Sequence, residues 1–273
     1  MTYNGKTYNS NVLNQNGYII MLPNVGEAAD LRQVNNPINP YAESASPLFP
    51  LGTKLIQGER VWRYCKTGGT GLNRGSAIQA AAPVHADIFP DLAIGAVAAI
   101  GATSVEVTST ANIDVAPWST KDGGAEGYIV FQDLTGESQM YKIKGHDAFS
   151  TTDDATVFLY DGLVVAIDAT TQCGLLENPY SNVIATTAVI TGVFIGTSLI
   201  DTTTLYYSWI QTGGPAVGIP KVAIPVGDPV VVGTTAAKFD VANAFTTETV
   251  VGWAMSLATA DTEAFAVFLI GDR

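Results

Sequence analysis

Charge is scarce in this sequence. Only 14% of its 273 residues are Asp, Glu, Lys or Arg, against about a quarter in an ordinary soluble domain. Cysteine and histidine are scarcer still, with two of each. Two cysteines, Cys65 and Cys173, build no disulfide framework, and thiols set in strand-like runs are read as buried and free. His85 and His146 have no cysteine partners at ligand spacing, so both are read as surface or loop imidazoles and no metal site is expected. Neither a Gly-x-Ser-x-Gly elbow nor a His-Glu-x-x-His pair occurs. The run Gly69-Thr70-Gly71-Leu72-Asn73-Arg74-Gly75-Ser76 lacks the lysine of a phosphate loop and no helix follows it, so it reads as a flexible hairpin end. Loop acids such as Asp153 and Asp154 lack the alternating spacing of a calcium loop. The motif-borne chemistries are thereby excluded, and the chain is expected to be no enzyme and to use no cofactor. Glycosidase chemistry, which needs only two carboxylates placed by the fold, stays open at this stage.

The charge that exists is unevenly placed. The net charge is −12, yet residues 1–75 hold seven Lys and Arg against four acids, a balance of +3, and the rest of the chain is at −15. Such an acidic body repels nucleic acid at long range, so no nucleic-acid partner is expected. A basic N-terminal quarter suits an acidic protein surface, although a balance of +3 over 75 residues reads equally well as chance.

Long uninterrupted hydrophobic runs are also missing. Val183–Ile200 is broken by Thr186, Thr187, Thr191, Gly192, Gly196, Thr197 and Ser198, and its nearest basic residues are Lys144 and Lys221. A membrane span without flanking charge is not expected, and the segment reads as strands. The polar start Met1-Thr2-Tyr3-Asn4-Gly5-Lys6 gives no expectation of a secretory leader, and the protein is read as soluble.

What is present is β grammar. From about Val183 to Ile270, β-branched and aromatic runs such as Leu205–Thr212, Val250–Met255 and Phe265–Ile270 alternate with Gly, Pro and Asp, the pattern of short strands and tight turns. Gly213-Gly214-Pro215 reads as one of those turns. Trp209 and Trp253 lie inside apolar runs and read as core. Residues 53–66 read as one long strand presenting Arg60, Trp62 and Tyr64 on one face and Val61, Arg63 and Cys65 on the other. Residues 76–82 fit a short helix or a strand equally. Between 92 and 178 the turn signals predict three hairpins, about Gly101-Ala102-Thr103, about Asp133–Glu137 and about Asp161-Gly162. No long amphipathic helix and no tandem repeat is visible.

Residues 1–52 read as an arm, rich in Asn and broken by Pro23, Pro37, Pro40, Pro47 and Pro50, which favour extended backbone. Tyr3, Tyr8, Tyr18, Tyr41 and Phe49 have no local core there and are expected to dock on a neighbouring chain. The expected architecture is mainly β: an antiparallel barrel or sandwich body from 53–91 and 179–273, a small inserted β-domain at 92–178, and the extended N-terminal arm at 1–52.

The segment Tyr207-Ser208-Trp209-Ile210-Gln211-Thr212-Gly213-Gly214-Pro215-Ala216, with Val226-Gly227-Asp228-Pro229-Val230-Val231, Val251-Gly252-Trp253-Ala254 and the terminal Val267-Phe268-Leu269-Ile270, resembles the capsid-decorating (cement or head-stabilising) proteins of tailed bacteriophages. The Gly101–Thr108 pattern and the Asn178-Pro179-Tyr180 junction are similar to insertions in larger members. The likeness covers about half the chain, and the long Asn/Pro arm departs from the smallest members. The resemblance implies a structural virion protein on the capsid exterior, made in the host cytoplasm, partnered by the major capsid protein and by its own copies as a homotrimer. Expected contact residues are Tyr3, Tyr8, Tyr18, Arg32, Tyr41, Phe49, Arg60, Trp62 and Tyr64, with the basic arm toward the coat. Deleting residues 1–50 is then expected to leave a folded body that no longer binds shells. The rival reading is a host-glycan adhesin or a tail or baseplate module, with Trp118, beside Pro117 in a loop, as an exposed sugar platform and Asp122 beside it.

Overall fold

The computed structural model describes residues 2–3, 6–7, 12–15, 18–21, 38–82, 92–110, 112–243, 248–259 and 263–272. They divide into two compact units, one formed by Met1–Ala81 with Pro179–Arg273 and one by Ala82–Asn178. The second unit thus starts at Ala82, where the sequence pointed to residue 92. Every regular element among the described residues is a strand, and every ladder between strands is antiparallel. The fold is all-β, as the β-branched runs and turn residues dictate.

In chain order the strands are β1 (Thr2–Tyr3), β2 (Lys6–Thr7), β3 (Val12–Gln15), β4 (Tyr18–Met21), β5 (Lys54–Gln57), β6 (Arg60–Lys66), β7 (Ala77–Ala80), β8 (Leu92–Ala93), β9 (Ser104–Val107) and β10 (Tyr128–Asp133). They continue as β11 (Gln139–His146), β12 (Ala155–Leu159), β13 (Gln172–Leu176), β14 (Val183–Ala185), β15 (Phe194–Ser198), β16 (Tyr207–Gly218), β17 (Pro229–Val232), β18 (Phe239–Val241), β19 (Val250–Ala254) and β20 (Phe265–Ile270).

In the first unit one curled sheet runs β18-β17-β19-β20-β16-β6-β5-β4-β3, and β15, β7 and β14 branch from β16. Its axis is β16, twelve residues long. The turn residues Gly213-Gly214-Pro215 predict a break here, but the strand passes straight through. The ladder to β6 shifts register between Gln211 and Gly213, and Gly214 takes φ 75°, so the bend is absorbed as a bulge. Pro215 lies beyond the last pair with β6, Gly213 with Val61, where its missing N–H costs no ladder bond.

The expected long strand at 53–66 is instead the hairpin β5–β6, folded at Gly58 with φ 58°. Both faces of β6 are covered. Trp62 and Tyr64 enter a cluster with Leu55 and Trp209, while Cys65 enters another with Ile78, Val183 and Ile210. Residues 77–80 resolve to strand, all four buried. The glycine-rich segment after β6 is anchored to the Asp201–Thr202 stretch rather than closing a hairpin. Leu72 is buried, its N–H donates to Thr202 Oγ1 at 3.0 Å, and Arg74 pairs with Asp201 at 3.0 Å.

The second unit is a six-stranded sheet, β8-β13-β10-β11-β12-β9. Its two ends meet: Gly95 N–H donates to the Glu106 carbonyl and Thr108 N–H to the Ala93 carbonyl, both at 2.9 Å. Closure removes the free edges and encloses a core that includes Trp118, Phe131, Ile143 and Phe149. Of the three expected hairpins only β10–β11 forms. The segment after Asp161-Gly162 turns away from β12 and bonds to the 98–102 stretch, Gly101 N–H to the Leu163 carbonyl at 2.7 Å and Ala98 N–H to the Ile167 carbonyl at 3.1 Å. The side chains of Gln139 and Tyr141 hold it there, accepting the Val165 and Val164 N–H groups at 3.0 and 2.7 Å.

Candidate functional site

The last strand alternates buried and half-buried positions, with Phe265, Val267 and Leu269 inward. Because every member of Phe265–Ile270 is apolar, the outward set is apolar too. Phe268 stands opposite Trp253 on β19 on one side and Pro215 on β16 on the other, and Trp253 stands opposite Pro229 on β17. One rung of the open face therefore reads Pro229–Trp253–Phe268–Pro215. The next rung is built the same way: Val217 stands opposite Ala266, whose carbonyl accepts the Met255 N–H at 2.8 Å. Trp253, Val217 and Met255 are 46%, 48% and 47% exposed, and neither rung contains a charged residue. Contiguous apolar surface on a sheet face is what an association surface offers, since each Å² it loses to a partner contributes roughly 25 cal/mol. By sequence Trp253 reads as core, because its neighbours supply no polar residue to mark the outward face.

The residues expected to touch a capsid or a neighbouring subunit separate into three groups. Phe49, Trp62 and Tyr64 are committed to the chain's own core together with Ile20 and Ile38. Phe49 packs on Trp209 at 5.3 Å between centroids, and Tyr64 on Trp209 at 5.0 Å. The aromatics of this stretch do have a core to enter, one assembled from distant strands. Deleting residues 1–50 would strip Ile20, Ile38 and Phe49 from it, so that truncation cannot leave the body intact. Tyr41 and Arg60 form the second group. Tyr41 is 51% exposed and its hydroxyl accepts from Arg60 Nη1 at 3.0 Å, while the Arg60 guanidinium lies over the Trp62 ring at 4.7 Å and donates to Gln211 Oε1 at 3.0 Å. This stacked, forked cation is held in place at the surface. In the third group, Tyr3 and Tyr18 fall in β1 and β4, whereas Tyr8 and Arg32 lie outside the described residues.

The proposed sugar platform is overturned. Trp118 is 1% exposed. It packs against His146 at 5.3 Å and Phe149 at 6.5 Å, and a Cβ on Gly124 would overlap its ring. The structure also corrects the reading of His146 as a surface imidazole. Its Nδ1 faces the Asp147 carbonyl at 2.7 Å and its Nε2 accepts the Gly124 N–H at 2.8 Å, which fixes a neutral ring with the proton on Nδ1. Burial holds its pKa below the ordinary histidine value, against the opposing pull of the Asp147 carbonyl and the Asp122 and Asp147 carboxylates. Asp122, by contrast, is exposed in a left-handed conformation, φ 59°, with its Oδ1 accepting the His146 backbone N–H at 2.9 Å. His85 lies outside the described residues.

Comparison with family models, with curated proteins and with solved structures returned no match.

Both thiols are free and buried. Burial raises the pKa of each, that of Cys173 to about 12, which leaves them unreactive near neutral pH. Among the described residues no group of three or more His, Cys, Asp or Glu could hold a metal ion, and no helix is long and apolar enough to cross a membrane.

Proposed function

We propose that this chain is a structural virion protein that binds the outer surface of a tailed-phage capsid and stabilises contacts between coat subunits, joined there by copies of itself in a homotrimer. The observation that carries the reading is the uncharged double rung Pro229–Trp253–Phe268–Pro215 and Met255–Ala266–Val217 on the open face of the first unit's sheet. It is rigid, because four hydrogen-bonded strands present it, so little conformational entropy is lost on docking. Trp and Phe at the centre of such a patch are the side chains that dominate interface energy. Repetition over a lattice would turn a modest single contact into firm occupancy. The sequence likeness to capsid-decorating proteins points the same way.

The test uses the full chain. Co-sedimentation with expanded empty shells, alongside sedimentation velocity of the free protein, is expected to show saturable shell binding and a trimer. Trp253→Lys should lose most of its occupancy while keeping the wild-type circular dichroism spectrum. No shell binding by the wild type, or unchanged binding by the folded variant, would overturn the proposal.

A further inference from the structure

The second unit is acid-rich, with three lysines, Lys121, Lys142 and Lys144, against fourteen Asp and Glu between Ala82 and Asn178. Lys142 is spent in an ion pair with Glu126 at 2.6 Å. The other two line one cleft of about 440 Å³, together with Asp122, Thr103 and Phe158. That volume lies within the range of small-ligand sites.

Backbone irregularity aims these groups. Along β11, Ile143 pairs with Leu159 and Gly145 with Phe158, so Lys144 is the extra residue of a bulge, the device that redirects a side chain out of a ladder. Lys144 makes no ion pair among the described residues, and Lys121 has only a loose, exposed one to Asp147 at 4.0 Å, worth little in water. Asp122 is fixed by the His146 N–H on Oδ1, and Gly145 lets it lie close, since a Cβ there would overlap that oxygen. Its second oxygen remains to accept. Phe158 is 40% exposed, giving the cleft an apolar aromatic wall.

The geometry points to a binding site for a carboxylate-bearing saccharide in this cleft. Lys144 and Lys121 would take the sugar carboxylate. Asp122 and Thr103 would take ring hydroxyls, and Phe158 would cover the C–H face of the ring. The chemistry discriminates among anions. A phosphate carries nearly two charges and would meet the Asp122 carboxylate, whereas a uronate carries one charge and hydroxyls that a carboxylate welcomes. A neutral sugar would leave both ammonium groups unanswered. The inference is independent of the shell-binding reading, because this unit's cleft shares no residue with the apolar rungs.

Isothermal titration of the full chain with trigalacturonate tests it, using the methyl-esterified trimer and inorganic phosphate as controls. Saturable binding of trigalacturonate is expected, at least tenfold weaker for Lys144→Gln and weaker again for Lys121→Gln/Lys144→Gln, and declining with added salt. Both exposed substitutions should leave the melting temperature unchanged. No heat with trigalacturonate, equal affinity in the double variant, or equal affinity for the ester or for phosphate would each overturn the assignment.

Discussion

Phe49 meets Tyr64 edge to face, with ring centroids 5.4 Å apart and ring planes at 79°. Five residues before β5 begins at Lys54, the chain is therefore already inside the body's core, and the Tyr64 hydroxyl reinforces the junction by accepting the Leu48 N–H at 3.1 Å. Burial pushes the Tyr64 pKa up to about 12, so the phenol stays protonated. Phe49→Ala should cost about 3–5 kcal/mol, the transfer loss plus an unfilled cavity. Urea unfolding followed by tryptophan fluorescence will show it, because Trp62 and Trp209 share the cluster. A midpoint within error of wild type would mean that Phe49 is peripheral.

A second junction ties the C-terminal end to β5 and β6. Asp272 accepts from Lys54 Nζ at 3.1 Å and from Arg63 Nε, and Arg63 Nη1 also donates to the Gly52 carbonyl at 2.9 Å. Burial opposes ionisation of Asp272, but the hydrogen bonds and charges of Arg63 and Lys54 outweigh it and hold the carboxyl below its usual range. The unfolded chain therefore binds the proton first. The stabilisation is complete above the unfolded carboxylate value of about 3.9 and is lost as pH falls through the lower folded value. Asp272→Asn should cost about 2 kcal/mol at pH 7 and less as the wild type is acidified. Equal losses at pH 7 and pH 3 in urea titrations would contradict the pairing.

How far the sequence reached is visible in these cases. The all-β class followed from β-branched runs and turn residues, and the β10–β11 hairpin from Asp133–Glu137. Gly213-Gly214-Pro215 misled because the same residues that make turns also permit a bulge inside a strand, and only the approach of the Glu59 carbonyl tells the two apart. Trp118 misled for a related reason. Its loop setting is local, but its burial depends on His146 at the end of β11 and on Phe149 in the loop that follows, both far from it in sequence. The Phe268–Trp253 rung and the Lys121–Lys144 cleft were illegible, since the first depends on strand register and the second on a bulge.

His146 gives the second unit its own response to acid. Because burial depresses its pKa, the unfolded chain again takes the proton first, and stability should fall as pH drops below about 6.5, the unfolded histidine value. That window lies well above the one set by Asp272, so the two units can be separated by pH. Amide exchange is expected to accelerate between pH 7 and pH 5, beyond its intrinsic pH dependence, in β11 around Gly145 and at Gly124. It should stay unchanged in β16. Replacement by Phe, which keeps the ring but cannot accept the Gly124 N–H, should remove the acid response and cost about 1–3 kcal/mol at pH 7.

Two glycines separate backbone strain from steric overlap. Gly214, in β16, has φ 75°, and a Cβ on it would overlap the Glu59 carbonyl and crowd Arg60. Gly227, in the turn before β17, has φ 86° with nothing within 4 Å of its Cβ position. Alanine at Gly227 pays only the left-handed penalty, about 1–2 kcal/mol. Alanine at Gly214 adds a collision with main chain that no rotamer change relieves, so β16 must part from β6 beside the bulge. Its cost should exceed that of Gly227→Ala by about 1–3 kcal/mol, the usual toll of forcing extra volume into a packed site. Paired urea titrations read the difference directly, and equal midpoints for the two variants would show that the bulge yields without loss of the β6 ladder.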